Sequence, residues 1–150
     1  MTQSSEADVL ARRCAAAMYD RDIASQHLGM RIVEVAAGRA TLRMRVTETM
    51  INGHGICHGG YVVLLADSAF AFACNTTNQR TVAQGLDVVF LEAAQAGDEL
   101  EATAVRRAQR GRSGVYDVTV RRLDDGGVDA VVAELRGRSR TISGTILSEE

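Results

Sequence analysis

The chain has 150 residues, 46% of them hydrophobic, which suits one domain built on a core of its own. Its net charge of −2, a pI near 5.9 and few aromatic residues argue against a dedicated nucleic-acid binder. All 17 basic residues are arginine, which excludes a P-loop lysine, a Schiff base and a Ser-x-x-Lys pair, and the lack of proline leaves turns to Gly, Asn and Asp.

The first residues, MTQSSEADVLARRC, carry no basic segment leading into an apolar one, and no window reaches the roughly 18 to 20 apolar residues that span a bilayer. The expectation is a cytoplasmic protein without membrane contact. Cys14, Cys57 and Cys74 are odd in number and unpatterned, which fits reduced thiols. Val9, Leu10, Cys14, Ala17 and Met18 predict a short leading helix over 6–19, after a Ser4-Ser5 stretch suited to capping it. Alternation on either side of Ala37-Gly38 predicts a hairpin. Residues 59–75, entered through Gly59-Gly60, are too long and too rich in Ala and Leu for a strand and predict a central helix.

After Asn78 four runs alternate as strands: TVAQGLDVVFL, DELEATAVRRAQ, SGVYDVTVRRL and VDAVVAELRGRSRTI. The last two flank DDGG, the strongest hairpin signal in the chain. The order of helix, two strands, long helix and four strands predicts a single α+β domain over 1–150, its mainly antiparallel sheet wrapping the central helix. The closing LSEE reads as a free tail.

One carboxylate interrupts the central helix. On a helical wheel Tyr61, Ser68 and Asn75 form one stripe, while Asp67 falls among Val63, Leu64, Ala71 and Cys74. If those neighbours are buried, an ionised carboxylate there costs several kcal/mol, on the order expected for an unpaired charge, unless it is paired or faces a wet cleft. An Asp–Arg pair tying helix to sheet and a carboxylate at a subunit seam account for the wheel as well as catalysis does. The helix opens with HGG, and helix amino termini present free N–H groups suited to an oxyanion or a polarised carbonyl. Gly59 and Asp67 stand about 12 Å apart along one axis, against the roughly 3 Å reach needed to touch one reacting carbonyl. Either they serve different jobs, or two antiparallel copies of the helix bring Gly59 of one chain to Asp67 of the other.

The N-x-x-G-x-x-H-G-G element, here Asn52, Gly55, His58, Gly59 and Gly60, followed by Leu65-Ala66-Asp67 within a helix, resembles the hotdog-fold acyl-CoA thioesterases. The continuation ADSAFAFACN, with SGVYDVTV and the RGRSRTISGTI ending, is similar to the PaaI family of phenylacetyl-CoA thioesterases over about residues 25 to 147. The resemblance implies a hotdog fold and hydrolysis of acyl-CoA thioesters, foremost phenylacetyl-CoA or hydroxyphenylacetyl-CoA in phenylacetate catabolism, with no metal or organic cofactor. It also implies a homodimer with shared active sites and a dimer of dimers. By position, Asp67 would act as general base or nucleophile, and Asn52 with the Gly59 N–H would polarise the carbonyl from the neighbouring subunit. His58 would shape the loop.

Several relatives hold the attacking water with a hydroxyl on the strand after the helix, where this chain reads Val82-Ala83-Gln84-Gly85; Gln84 is the candidate left. Gly60, Tyr61, Arg112, Ser113 and Arg138 complete the expected substrate-binding set, the arginines toward the coenzyme A phosphates and Tyr61, Leu65 and Phe70 toward the acyl group. His54, Cys57 and His58 lack metal-site geometry in a glycine-rich segment, and Cys57 beside His58 is poorly placed for a Cys-His nucleophile. Two rival readings are a hotdog hydratase or dehydratase, whose histidine-plus-acid pair is not evident here, and a non-enzymatic acyl-CoA sensor.

Overall fold

The computed structural model describes residues 3–124 and 127–149, with residues 127–129 in their backbone only. Helix α1 (Glu6–Arg21) begins where the Ser5 hydroxyl accepts the Asp8 N–H at 3.1 Å, with Glu6 and Asp8 set favourably in the first turn. A one-turn helix α2 (Ile23–His27), not foreseen in the sequence, follows because the Asp22 carboxylate accepts the Ser25 N–H at 2.9 Å. Strands β1 (Arg31–Ala36) and β2 (Arg39–Arg45) form the expected hairpin, with Gly38 at φ 70° in its turn. A 3-10 turn over Glu48–Met50, also unforeseen, precedes the glycine-rich loop and α3 (Gly59–Cys74).

Four long strands then return: β3 (Gln79–Phe90), β4 (Glu99–Arg110), β5 (Ser113–Asp124) and β6 (Gly127–Thr145). The six strands make one antiparallel sheet in the order β1-β2-β4-β5-β6-β3. The Asp125-Gly126 tip of the DDGG hairpin lies outside the described residues, and pairing runs up to Asp124 and Gly127 on either side of it.

Packing follows from the composition of α3. Val62, Leu65, Ala66, Ala69, Phe70, Phe72, Ala73 and Cys74 are buried against the sheet, and full burial of Leu65, Phe70 and Phe72 contributes about 1.5–3 kcal/mol each. The alanines let the sheet come close. A Cβ at Gly137 on β6 would stand 3.0 Å from the Phe70 ring, and Tyr116 on β5 meets that ring edge-on at 5.3 Å. The hotdog arrangement expected from the resemblance, a curled sheet around one long helix, is therefore present.

Two of the three polar wheel positions, Ser68 and Asn75, are engaged inside the fold. Asn75 is buried and its side chain bridges Ala71 and Thr81, while the Ser68 and Ser25 hydroxyls share a 2.9 Å hydrogen bond that docks α2 onto α3. Across the sheet, the face away from α3 is laced with ion pairs: Arg43–Glu101 at 2.8 Å, Arg107 and Arg136 on Asp117 at 2.8 and 2.7 Å, and Arg138–Asp87 at 2.5 Å. The tail is shorter than LSEE, because the N–H groups of Ile146 and Leu147 donate to Asn78 Oδ1 at 3.1 and 2.8 Å. Among the described residues no helix is long and apolar enough to cross a membrane.

Candidate active site

The loop leading into α3 is ordered by Asn52. Its Oδ1 accepts the N–H groups of His54 at 3.0 Å and Ile56 at 3.3 Å, holding the glycine-rich stretch in a compact turn. Its Nδ2 has no acceptor among the described residues. At the helix start His58 is the N-cap: its Nδ1 accepts the Gly60 N–H at 2.9 Å, and its carbonyl accepts the Tyr61 N–H at 3.0 Å. Among the described residues nothing accepts the Gly59 N–H. Asn52 and Gly59 both line a cleft of about 440 Å³ that is otherwise largely apolar, walled by Val62, Phe90, Leu91 and Val132. Two unused N–H donors thus stand on one apolar cleft, one of them at a helix amino terminus, which is the equipment needed to polarise a carbonyl.

His58 shapes the loop through its cap, and that same cap consumes the Gly60 N–H. Gly60 therefore offers no backbone donor and instead borders a small open hollow with Tyr61 and Leu64.

Asp67 lies two turns along α3, outside the lining of the Asn52–Gly59 cleft. Its wheel neighbours Val63, Leu64 and Ala71 are half-buried in this chain rather than buried, as is Asp67 itself, so an apolar face of α3 with one carboxylate is left partly open. Among the described residues Asp67 makes no hydrogen bond and no ion pair, which removes the Asp–Arg reading. Burial alone raises its pKa from the ordinary 3.8, so the group is a carboxylate of increased basicity with unoccupied oxygens.

The remaining expected residues sit elsewhere. Gln84 is the extra residue of a β-bulge between Ala83 and Gly85, exposed on β3. Arg138 lies over Gly85 and pairs with Asp87, and Arg112 and Ser113 are exposed at the β4–β5 turn, where Ser113 pairs with Arg140. That end of the sheet is distant from the cleft. Arg140 pairs with Val82, whereas the cleft residue Phe90 is eight residues along β3, about 26 Å at the usual strand rise. Leu65 and Phe70, expected on the acyl group, are fully buried in the core and cannot line a cleft. Phe90 and Leu91 line it instead, and alternation alone gives no sign of this because both read as ordinary strand residues.

Burial pushes the Cys57 thiol up and the Cys74 thiol to about 12, so neither supplies a thiolate nucleophile near neutral pH. Among the described residues no three His, Cys, Asp or Glu side chains converge as a metal site.

A family profile described as the thioesterase superfamily matches residues 54–129, which take in the later part of the glycine-rich loop, α3 and strands β3 to β5, while Asn52 and Val132 of the cleft lie just outside it. The chain is 42% identical to the acyl-coenzyme A thioesterase PaaI of Escherichia coli (strain K12) over 90% of this chain and 94% of that protein. The chain belongs to the thioesterase superfamily. The solved structure of the E. coli PaaI protein from the phenylacetic acid degradation operon superposes with a TM-score of 0.88 at 40% identity, covering 93% of this chain and 99% of that one. A structure of the phenylacetic acid degradation protein PaaI from Thermus thermophilus superposes at 0.72 and 31% identity, covering 79% and 97%. The superfamily match and the fold agree with the order of elements seen here.

Proposed function

We propose that this thioesterase-superfamily protein hydrolyses acyl-coenzyme A thioesters, arylacetyl-CoA foremost, at sites shared between two copies of the chain. The observation that carries the reading is the pairing of two idle N–H donors, Asn52 Nδ2 and Gly59 N–H, on one apolar cleft, with an unpartnered, basicity-raised carboxylate at Asp67 on the same helix. The E. coli and Thermus proteins of known structure are both tied by name to phenylacetic acid degradation, which supports the arylacetyl class.

The chemistry needs each part once. The two donors take up the charge that grows on the thioester oxygen. Asp67 removes a proton from water, whose oxygen bonds to the carbonyl carbon; the tetrahedral adduct collapses, the carbon–sulfur bond breaks, and the departing thiolate takes the proton from Asp67. Alternatively Asp67 attacks the carbon itself, the thiolate leaves, and water hydrolyses the anhydride. Both routes balance and both need the carboxylate.

A shared site accounts for the spacing. Within one chain about 12 Å along the helix separates Gly59 from Asp67, and Gln84, Arg112, Ser113 and Arg138 gather at the far end of the sheet. Strand β3 is an edge of the sheet, pairing with β6 on one side. A second copy laid antiparallel along that edge would set the Val82–Gly85 end of one chain beside the Val88–Phe90 end of the other, with Gln84 and the arginines near the partner's cleft. Two such dimers would form the tetramer.

Mixing inactive subunits tests both the reaction and the sharing. Asp67→Asn and Asn52→Ala proteins, each inactive in thiol release from phenylacetyl-CoA, are unfolded together in equal amounts and refolded. Half the dimers are then hybrids with one intact site of two, so activity returns to about one quarter of wild type. No recovery from well-folded hybrids defeats the shared site, and no thiol release by the wild-type protein across an acyl-CoA panel defeats the hydrolysis.

A further inference from the structure

We infer that Phe90 is the residue that selects the acyl group, by offering its ring to an aryl group one carbon from the thioester carbonyl. This rests on the hydrolase reading above and extends it to specificity. The Phe90 ring occupies the space that a side chain at position 59 would fill: Cζ and Cε1 lie 2.9 and 3.1 Å from where a Cβ of Gly59 would stand. The ring and the idle Gly59 N–H therefore share one corner of the cleft. A carbonyl oxygen that accepts this N–H sits beside the residue the ring packs on, and in this reading its acyl side, not its coenzyme A side, meets the ring.

The rest of the cleft has the same bias. Its floor of Cys57, Val62, Ala94 and Val132 is buried to 5% exposure or less, whereas Phe90 and Leu91 remain 52% and 58% exposed. Large apolar side chains left half open in the single chain beside a preformed apolar floor are contact surface, for a bound acyl group or for the second copy laid along β3, and the test below separates the two. The pantetheine amides of coenzyme A would find few polar partners on such walls, whereas a flat ring finds an offset or edge-on aromatic partner. An arylacetyl group places its ring one methylene from the carbonyl, level with Phe90. A short alkyl acyl group does not reach across.

The test compares kcat/KM for phenylacetyl-CoA and acetyl-CoA in the wild-type protein, Phe90→Leu and Phe90→Ala, with folding checked by melting and assembly by size. The expected result is a loss of about tenfold or more for phenylacetyl-CoA in Phe90→Ala, with acetyl-CoA changed by less than about threefold. Phe90→Leu keeps bulk without a ring and is expected to fall between, which keeps the test available if the alanine variant folds poorly. Equal losses for both substrates would overturn the inference by placing Phe90 on the shared coenzyme A portion. An unchanged ratio accompanied by altered assembly would overturn it by making Phe90 a filler of the subunit seam. The same ratio measured as dissociation constants of non-hydrolysable ketone analogues, phenylacetonyl-CoA and acetonyl-CoA, reads Phe90 even if neither thioester releases thiol, so failure of the reaction and failure of the inference are seen separately.

Discussion

Asp67→Asn keeps the size and shape of a half-buried side chain and removes its charge. Because the Asp67 oxygens have no hydrogen-bond or ion-pair partner among the described residues, the replacement breaks no contact of the fold. Its effect on catalysis follows from the role of the group: loss of a positioned base costs typically 10²–10⁴-fold, so thiol release should fall at least about 100-fold, or about 2.7 kcal/mol at 1.36 per decade. Its effect on stability runs the other way. Burial raises the folded-state pKa of Asp67 above the unfolded value, so its favourable contribution is present below the unfolded pKa and is lost as pH rises through the folded one. Near pH 7 the ionised carboxylate therefore burdens the folded state, and the asparagine variant should melt at or above wild type. The advantage should fade as pH falls through that window. The wild-type rate should rise with pH on a limb centred above 3.8, and the residual rate of the variant should lack that limb. Thiol release and melting are measured on the same preparations from about pH 4 to 8. Near-wild-type turnover would refute the catalytic role, and a melting loss at pH 7 larger than at pH 4 would show that Asp67 is engaged in a stabilising pair.

Four further substitutions, at three positions, probe the scaffold and the cleft. Asn52→Asp retains the Oδ1 acceptor for His54 and Ile56 and removes the Nδ2 donor, so single-turnover rates should fall about 10²–10³-fold while melting changes little. Gly137→Ala drives a methyl to 3.0 Å from the Phe70 ring and should cost about 1–3 kcal/mol, read as a lower urea midpoint at unchanged slope. Asn78 holds φ at 66° and accepts two N–H groups from the tail. Asn78→Ala should lose about 2–3 kcal/mol, and Asn78→Gly, which relieves only the backbone, should lose less.

Strands β4 and β5 were legible because one face of each is buried, and burial imposes a period of two that residues such as Leu100, Ala102 and Ala104 display openly. Helix α3 was legible from length and composition. Helix α2 was not, since five residues cannot show a helical period and its start depends on one Asp22 carboxylate. Asp67 stood out as a charge among apolar neighbours and Gly59 as half of a glycine pair at a helix start, whereas Asn52 was singled out only by the resemblance of its N-x-x-G-x-x-H-G-G element to a known family. The roles of Leu65 and Phe70 were misread for the opposite reason: an apolar residue on a helix looks alike whether it faces the sheet or a cleft. Phe90 was overlooked because its proximity to Gly59 arises from the path of β3 past the helix start, a contact across 31 positions that no local pattern records.

The sheet face away from α3 carries its positive charge as guanidinium alone, each of the arginines 43, 107, 136 and 138 tied to a carboxylate. Activated thioesters transfer their acyl groups to unprotonated amines and to thiolates. Guanidinium, protonated at any physiological pH, is neither. With no lysine in the sequence and all three thiols buried and pushed above their ordinary range, the molecule presents almost nothing that its own substrate class would modify. Outside Asp67, on which the anhydride route would place the acyl group for one step of each turnover, the molecule is chemically inert toward the acylating agents it handles.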